Sequence, residues 1–170
     1  MMVRDITIPR DELEQFLLPQ LLGRVFHVST HERLEAILED GAIRVHPPVA
    51  PSYDKAYFRN HGCVSLFDLR SITKDQLDDT LKVKYNFLNY HGDRHHPVFF
   101  LLRRDALAPI ISWSKDLFEK SLGWQLVPYS EAGHPGDLPL TLVDDILRVT
   151  IVHPPDPPFI AALKAANRRA

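Results

Sequence analysis

Residues 24–41, RVFHVSTHERLEAILEDG, constrain the fold more than any other stretch of the chain. RVFHVS, 24–29, is short, β-branched and aromatic and follows Gly23, so it reads as a buried strand with His27 in its middle. The run Ser29-Thr30-His31-Glu32 fits a capping box, with the Ser29 hydroxyl accepting from the third helical residue and Glu32 reaching back. Leu34, Ile37 and Leu38 then recur at helical spacing, and Gly41 supplies the left-handed residue that ends the helix. AIRVH, 42–46, reads as a second strand.

Further strands are predicted at CVSLFD (63–68), PVFFLLRR (97–104, an apolar run suited to a central strand), QLVPYSE (125–131, ending at Glu131) and DDILRVTIV (144–152). Residues 11–22 place Leu13, Phe16, Leu17, Leu21 and Leu22 near helical spacing, in a helix weakened by Pro19, and 72–82 are polar and helix-capable. Residues 47–62 show no sustained period and read as a long loop; AGHPGDLPL, 132–140, is dense in turn formers. The expectation is a mixed α+β fold in a single domain over 1–170, with a core over about 24–152 and a Pro-rich linker and basic tail over 153–170.

At 170 residues, 45% hydrophobic and 25% charged, the chain has enough apolar material for a core of its own, which excludes disorder over most of its length. The lone Cys63 has no partner for an internal disulfide, which points to a reducing compartment, and Arg4, Asp5, Arg10, Asp11 and Glu12 stand where a signal peptide would be apolar. No apolar run reaches the 18 or so residues a bilayer helix needs, so a cytoplasmic protein without a membrane partner is expected. A net charge of −2 lacks the basic character of a non-specific nucleic-acid coat.

Two places carry the chemistry. His27 is followed by the hydroxyls of Ser29 and Thr30 at a helix start, and Glu131 precedes a turn-rich segment. Taken alone, His27 reads equally as a half-buried strand histidine satisfied by one backbone bond, and Glu131 as a solvated loop carboxylate. Together, Phe26-His27-Val28-Ser29-Thr30, RLEAILEDG at 33–41 and PYSEAGHPGDLPL at 128–140, with Glu131 following His27 by 131 − 27 = 104 positions, resemble the ADP-ribosyltransferase superfamily. The match is nearest in character to small bacterial toxin or phage-defence members, DarT-like or abortive-infection-like, and the pattern is shared with the tRNA 2′-phosphotransferase branch.

The resemblance implies a split β-sheet core, two small packed sheets with flanking helices and an NAD cleft between them. It also implies transfer of ADP-ribose from NAD, which is substrate rather than resident cofactor, to a macromolecular acceptor, protein or nucleic acid, and an antitoxin as a further partner. Glu131 takes the catalytic place. His27, Ser29, Thr30, Tyr57, Arg59, Ser65 and Phe67 take the NAD-binding places, and Tyr129 lies on the acceptor side. The physical case is independent. Cleaving the nicotinamide–ribose bond passes through an oxocarbenium-like state, which a fixed carboxylate beside the developing charge and the 2′-hydroxyl stabilises. A cleft histidine can bond a ribose hydroxyl, and Ser29 or Thr30 can hold amide or phosphate.

The chain departs from the family in HGCVSLFD, 61–68, where relatives carry a tyrosine that packs on the nicotinamide. Phe67 can supply that surface or be plain core, with Tyr57 and Tyr53 as rivals; Arg59 either pairs with the pyrophosphate or is a solvated loop residue. Tyr129 replaces the Glu or Gln of arginine-directed relatives, and in an extended segment would share a face with Glu131, stacking on a nucleobase or packing on the loop. His91, Asp93, His95 and His96 have the residue types of a metal site but read as a polar loop, so no metal is expected; Cys63 reads as a buried hydrophobe. Two other readings are an RNA 2′-phosphotransferase-like enzyme leaning on Arg24, Arg59 or Arg104, and a degenerate nucleotide-binding module without turnover.

Overall fold

The computed structural model describes residues 1–47, 56–84, 96–105, 107–121 and 126–152, together with 154 and 159. The longest strand organises it. β9 (Val143–Val152) alternates buried and exposed positions and lies between β1 (Met2–Pro9), parallel to it from Met2↔Asp145 to Pro9↔Val152, and β5 (Pro97–Leu102), antiparallel. All six β5 residues are buried, because both faces of the sheet are covered there. Phe99 and Leu101 join a core with Leu147, Val149 and Leu13, Leu17 and Leu21 of α1 (Leu13–Leu21), while Val98, Phe100 and Leu102 join a second core with Ile146 and Leu34 of α2 (His31–Asp40). α1 runs through Pro19, which forgoes one helical hydrogen bond; its buried Leu13, Leu17, Leu18 and Leu21 offset that, at roughly 1.5–3 kcal/mol for each side chain removed from water.

On its other edge β5 pairs with β2 (Val25–Thr30) through five residue pairs, Phe26↔Leu101 to Thr30↔Pro97. β2 in turn meets β4 (Cys63–Asp68) through two pairs, Val25↔Asp68 and Phe26↔Phe67. β4 then pairs along its length with β7 (Glu131–Pro135), and β7 with β6 (Ile111–Ser112), giving a seven-stranded mixed sheet of order β1-β9-β5-β2-β4-β7-β6. A separate two-stranded ladder joins β3 (Ala42–Ile43) to β8 (Leu138–Pro139). The fold is therefore mixed α+β, with helices on both faces. Instead of two separate sheets it has one continuous sheet, narrowed to two residue pairs between β2 and β4.

Several elements differ from expectation. β1 has no apolar alternation strong enough to announce it, and is a strand because β9 offers it an edge. The second strand shrinks to Ala42–Ile43, since Arg44 turns out to bond Asp40 and Asp137, and the Val45 amide is taken by the Asp137 carboxylate at 2.8 Å. Thr30, not Ser29, is the residue before α2, and neither hydroxyl caps it, so the expected capping box is absent. Gly41 does end α2 in the left-handed region, at φ 68°. The loop before β4 contains a helical turn, α3 (Tyr57–Asn60); α4 (Lys74–Lys84) and α5 (Lys115–Lys120) complete the helices used here. Residues 126–130 form turns, and Glu131 begins β7 where it was expected to end a strand. Tyr53, His91, Asp93, His95 and nearly all of 153–170 lie outside the described residues.

α3 is clamped onto the sheet by Phe58, which lies directly over Gly133, where an added Cβ would overlap the ring. Gly133→Ala is expected to destabilise by about 1–3 kcal/mol in urea unfolding, the usual range for overpacking, or roughly 2–4 °C per kcal/mol in Tm. Adding Phe58→Ala should make the double variant more stable than the sum of the single effects by about 0.5–3 kcal/mol; strict additivity would mean the two side chains do not compete for that space.

Candidate functional site

The site is built around the place where the β2–β4 ladder stops. After Phe26↔Phe67 the next pair would join His27 to Leu66, but β2 continues along β5 alone, and the His27 imidazole bridges the gap by donating from Nδ1 to the Ser65 carbonyl at 2.9 Å. A carbonyl only accepts, so Nδ1 carries the hydrogen and the neutral ring keeps Nε2 as an acceptor. Burial pushes the His27 pKa down to about 4; the Ser65 bond opposes this, while the charges of Arg59 and Arg33 add to it. Near neutrality His27 is an uncharged hydrogen-bond acceptor beside two guanidinium groups.

Those arginines come from separate helices, Arg59 from α3 and Arg33 from the first turn of α2. Arg59 is held below its ordinary value first by burial and then by Arg33, so two positive charges are kept close in a partly desolvated place. Such an arrangement favours an anion. Ser65 contributes a buried Oγ without a hydrogen-bond partner among the described residues. Ser29 is 9% exposed, opposite Val98, and Thr30 ends β2 opposite Pro97, so both continue the β2 wall beyond His27.

Across β4 from this gap stands Glu131. Its backbone is paired with Phe67, which is paired with Phe26, so the three form a row across three strands spanning about 10 Å. At 6% exposure the carboxylate is buried, not solvated, and its Oε2 accepts from the Val127 amide at 2.7 Å, tying it into its own turn. His27 and Glu131 thus flank the same β4 segment from its two edges. Strand alternation puts Phe26, Phe67 and Glu131 on one face and His27 on the other, so a ligand touching both has to enter the gap between β2 and β4 rather than lie on one face.

The aromatic candidates separate clearly. Phe67 stacks on Phe26, with ring centroids 5.4 Å apart at 27°, and packs into the α1 core, so its ring serves the fold. Tyr57 is half-buried beside Arg59 and stacks on His61 at 4.2 Å. Tyr129 does not share an extended segment with Glu131: it sits in a turn at φ 66°, 44% exposed, its ring 4.6 Å from that of Trp113. Burial raises the Cys63 thiol, which suits a buried hydrophobe. Among the described residues no cluster of three metal-ligating side chains occurs, and no helix is long and apolar enough to cross a membrane.

Three residues escaped sequence reasoning. Arg33 had one readable signal, its place in the first turn of the helix that follows the histidine strand. Trp113 lies far from Tyr129 in sequence, and His134, buried with an Nδ1 that has no hydrogen-bond partner among the described residues, sits in a segment read as turn. Compared with protein-family models, with curated proteins and with solved structures, the chain matches none.

The His27 environment makes stability depend on pH. Its folded pKa of about 4 lies below the unfolded value of 6.5, so the unfolded chain binds the proton first; the stability is full above pH 6.5 and is lost as pH falls from there toward 4. The loss is expected to reach about 3 kcal/mol at most by urea unfolding. His27→Gln should flatten that part of the profile, and the comparison cancels the contribution of His31, which burial and His96 also hold low. A His27 ring that titrates near 6.5 by NMR would contradict the assignment.

Proposed function

We propose that the protein is an NAD-consuming ADP-ribosyltransferase whose nucleotide enters the gap between β2 and β4. The observation that carries this reading is the pairing pattern itself: a ladder that ends after two residue pairs, bridged by His27, with Glu131 on the opposite edge of the same strand. The sheet is continuous rather than split, and the two-pair seam is where a cleft between its halves would lie. In this reading His27 Nε2 accepts from a ribose hydroxyl, and Arg59 with Arg33 meets the pyrophosphate. Tyr57 is the aromatic side chain available to the nicotinamide, and Ser65 Oγ, Ser29 and Thr30 are hydroxyls along the cleft. Glu131 stabilises the oxocarbenium-like ribose and holds its 2′-hydroxyl as nicotinamide leaves. A toxin or phage-defence enzyme is the role that fits the resemblance, with a macromolecule as acceptor and an antitoxin as natural inhibitor.

A second reading has its own observation. The Glu131 carboxylate is already engaged by the Val127 amide and faces away from His27 by alternation, which suits a nucleotide-binding module without turnover.

Nicotinamide release from NAD separates the two. Wild type is expected to release it, Glu131→Gln to lose at least about 100-fold in rate while binding NAD within a few-fold, and His27→Ala to weaken binding itself. Full rate in Glu131→Gln would remove the glutamate from the mechanism; binding without release by folded wild type would establish the module.

A further inference from the structure

We infer that His31 and His96, with both imidazoles uncharged, form a latch that fastens the first turn of α2 to the end of β9 and so holds Arg33 at the gap, and that a proton on either ring opens it. They are positioning residues, acting through Arg33. Naming a nucleotide as what Arg33 meets rests on the reading above; the latch does not.

The need for a latch lies in the sheet. The β5–β9 ladder ends at Val98↔Arg148, and Pro97, where β5 begins, has no N–H with which to continue it. β9 runs on to Val152, so its backbone groups on the β5 side outrun their strand partner and need others. Two imidazoles stand in for the missing strand. The Ile151 amide donates to His96 Nδ1 at 3.1 Å. His31 bonds the Val149 carbonyl, and since its Nε2 is buried without a hydrogen-bond partner among the described residues, the bonding atom is Nδ1. The His31 amide, an orphan donor at a helix start, in turn donates to the His96 carbonyl at 3.1 Å, and the two rings lie 5.2 Å apart at 44°.

Those bonds fix the tautomers. An amide only donates, so His96 Nδ1 is bare and its hydrogen is on Nε2; a carbonyl only accepts, so His31 carries its hydrogen on Nδ1. A proton added to His96 would set one N–H against the N–H of Ile151 and break that bond. A proton added to His31 would charge a half-buried ring beside His96 and Arg148. Burial, His96 and Arg148, in that order, hold His31 below its ordinary value, against the Val149 bond and Glu32. Asp5 of β1, paired with Arg148, and Glu35 of α2 are further charged groups around it. With its folded value below the ordinary 6.5, the contribution of His31 is full above pH 6.5 and is lost as pH falls from there.

The consequence reaches the gap because Arg33 follows His31 by two residues in the same first turn of α2, where its charge acts on His27 and Arg59. Unfastening that turn lets the guanidinium leave the gap, and Arg59 then meets an anion without it.

The test compares the full wild-type chain with His31→Asn/His96→Asn. Asparagine reproduces both bonds without titrating, its Oδ1 in the place of His96 Nδ1 and its Nδ2 in the place of the His31 Nδ1–H. Amide hydrogen exchange reads the latch directly. In wild type the protection of the Ile151 amide, corrected for the intrinsic effect of pH, is expected to fall by about 5- to 10-fold between about pH 7.5 and about pH 5, while that of Leu147, inside the ladder, changes less than about twofold. The double variant should keep its Ile151 protection at both. NAD binding by calorimetry should weaken about 10- to 100-fold over the same range in wild type, the worth of one charge-assisted hydrogen bond, and at least about fivefold less in the variant. Should the double variant fail to fold, His96→Asn alone gives the same comparison. Ile151 protection that ignores pH in wild type, or falls equally in the asparagine variant, overturns the inference. So does NAD affinity that falls alike in both, which would assign the pH dependence to His27. No NAD binding near pH 7.5 with the Ile151 switch present supports the latch and counts against the nucleotide reading; NAD binding without the switch does the reverse.

Discussion

Between β2 and β4 the sheet is held by two backbone pairs, the stacked rings of Phe26 and Phe67, and the His27–Ser65 bond. Everything proposed for the site follows from that short seam. A full ladder would close the gap and leave His27 a simple face residue; no ladder would separate the β1-β9-β5-β2 block from the β4-β7-β6 block. The seam survives because side-chain packing spans it: Val64 and Leu66 of β4 and Ala132 of β7 share one core with Val98 and Phe100 of β5, while five β4–β7 pairs and the Phe58 clamp over Gly133 hold the second block together.

Burial and charge then set the chemistry of the gap. The histidine that bridges the seam is kept neutral by desolvation and by two arginines from different helices, leaving it an acceptor for a hydroxyl. In the proposed function the same two arginines meet the pyrophosphate, whose geometry suits guanidinium. Glu131 lies on the far edge of β4, buried and tied to its own turn, so its proposed role requires a ligand that reaches through the gap.

The β2–α2 unit was legible because its signals are local: a β-branched run, a 3.6-residue apolar period and a glycine where the backbone needs positive φ. The doubly buried β5 was legible for the same reason, as an unbroken apolar run. β1 and β7 were not. β1 carries Arg4 and Asp5, which mask its alternation and are satisfied by Asp145 and Arg148 on β9; β7 contains Gly133 and Pro135, which read as turn formers, and is a strand because β4 supplies its partners. The capping box failed because β2 runs one residue further than expected, so that Thr30 and not Ser29 precedes α2, and its side chain makes no cap bond.

By itself the sequence determined the mixed class of the fold, the strand position of His27, the end of α2 at Gly41 and the inert, buried character of Cys63, all of which depend on near neighbours in the chain. Only the tertiary structure decided that the sheet is one continuous surface with a two-pair seam. Arg33 joins Arg59 at His27, Phe67 belongs to the core and Tyr129 rests strained against Trp113 for the same reason: each depends on which strand edges and helix faces meet across long sequence separations, and no local period encodes that.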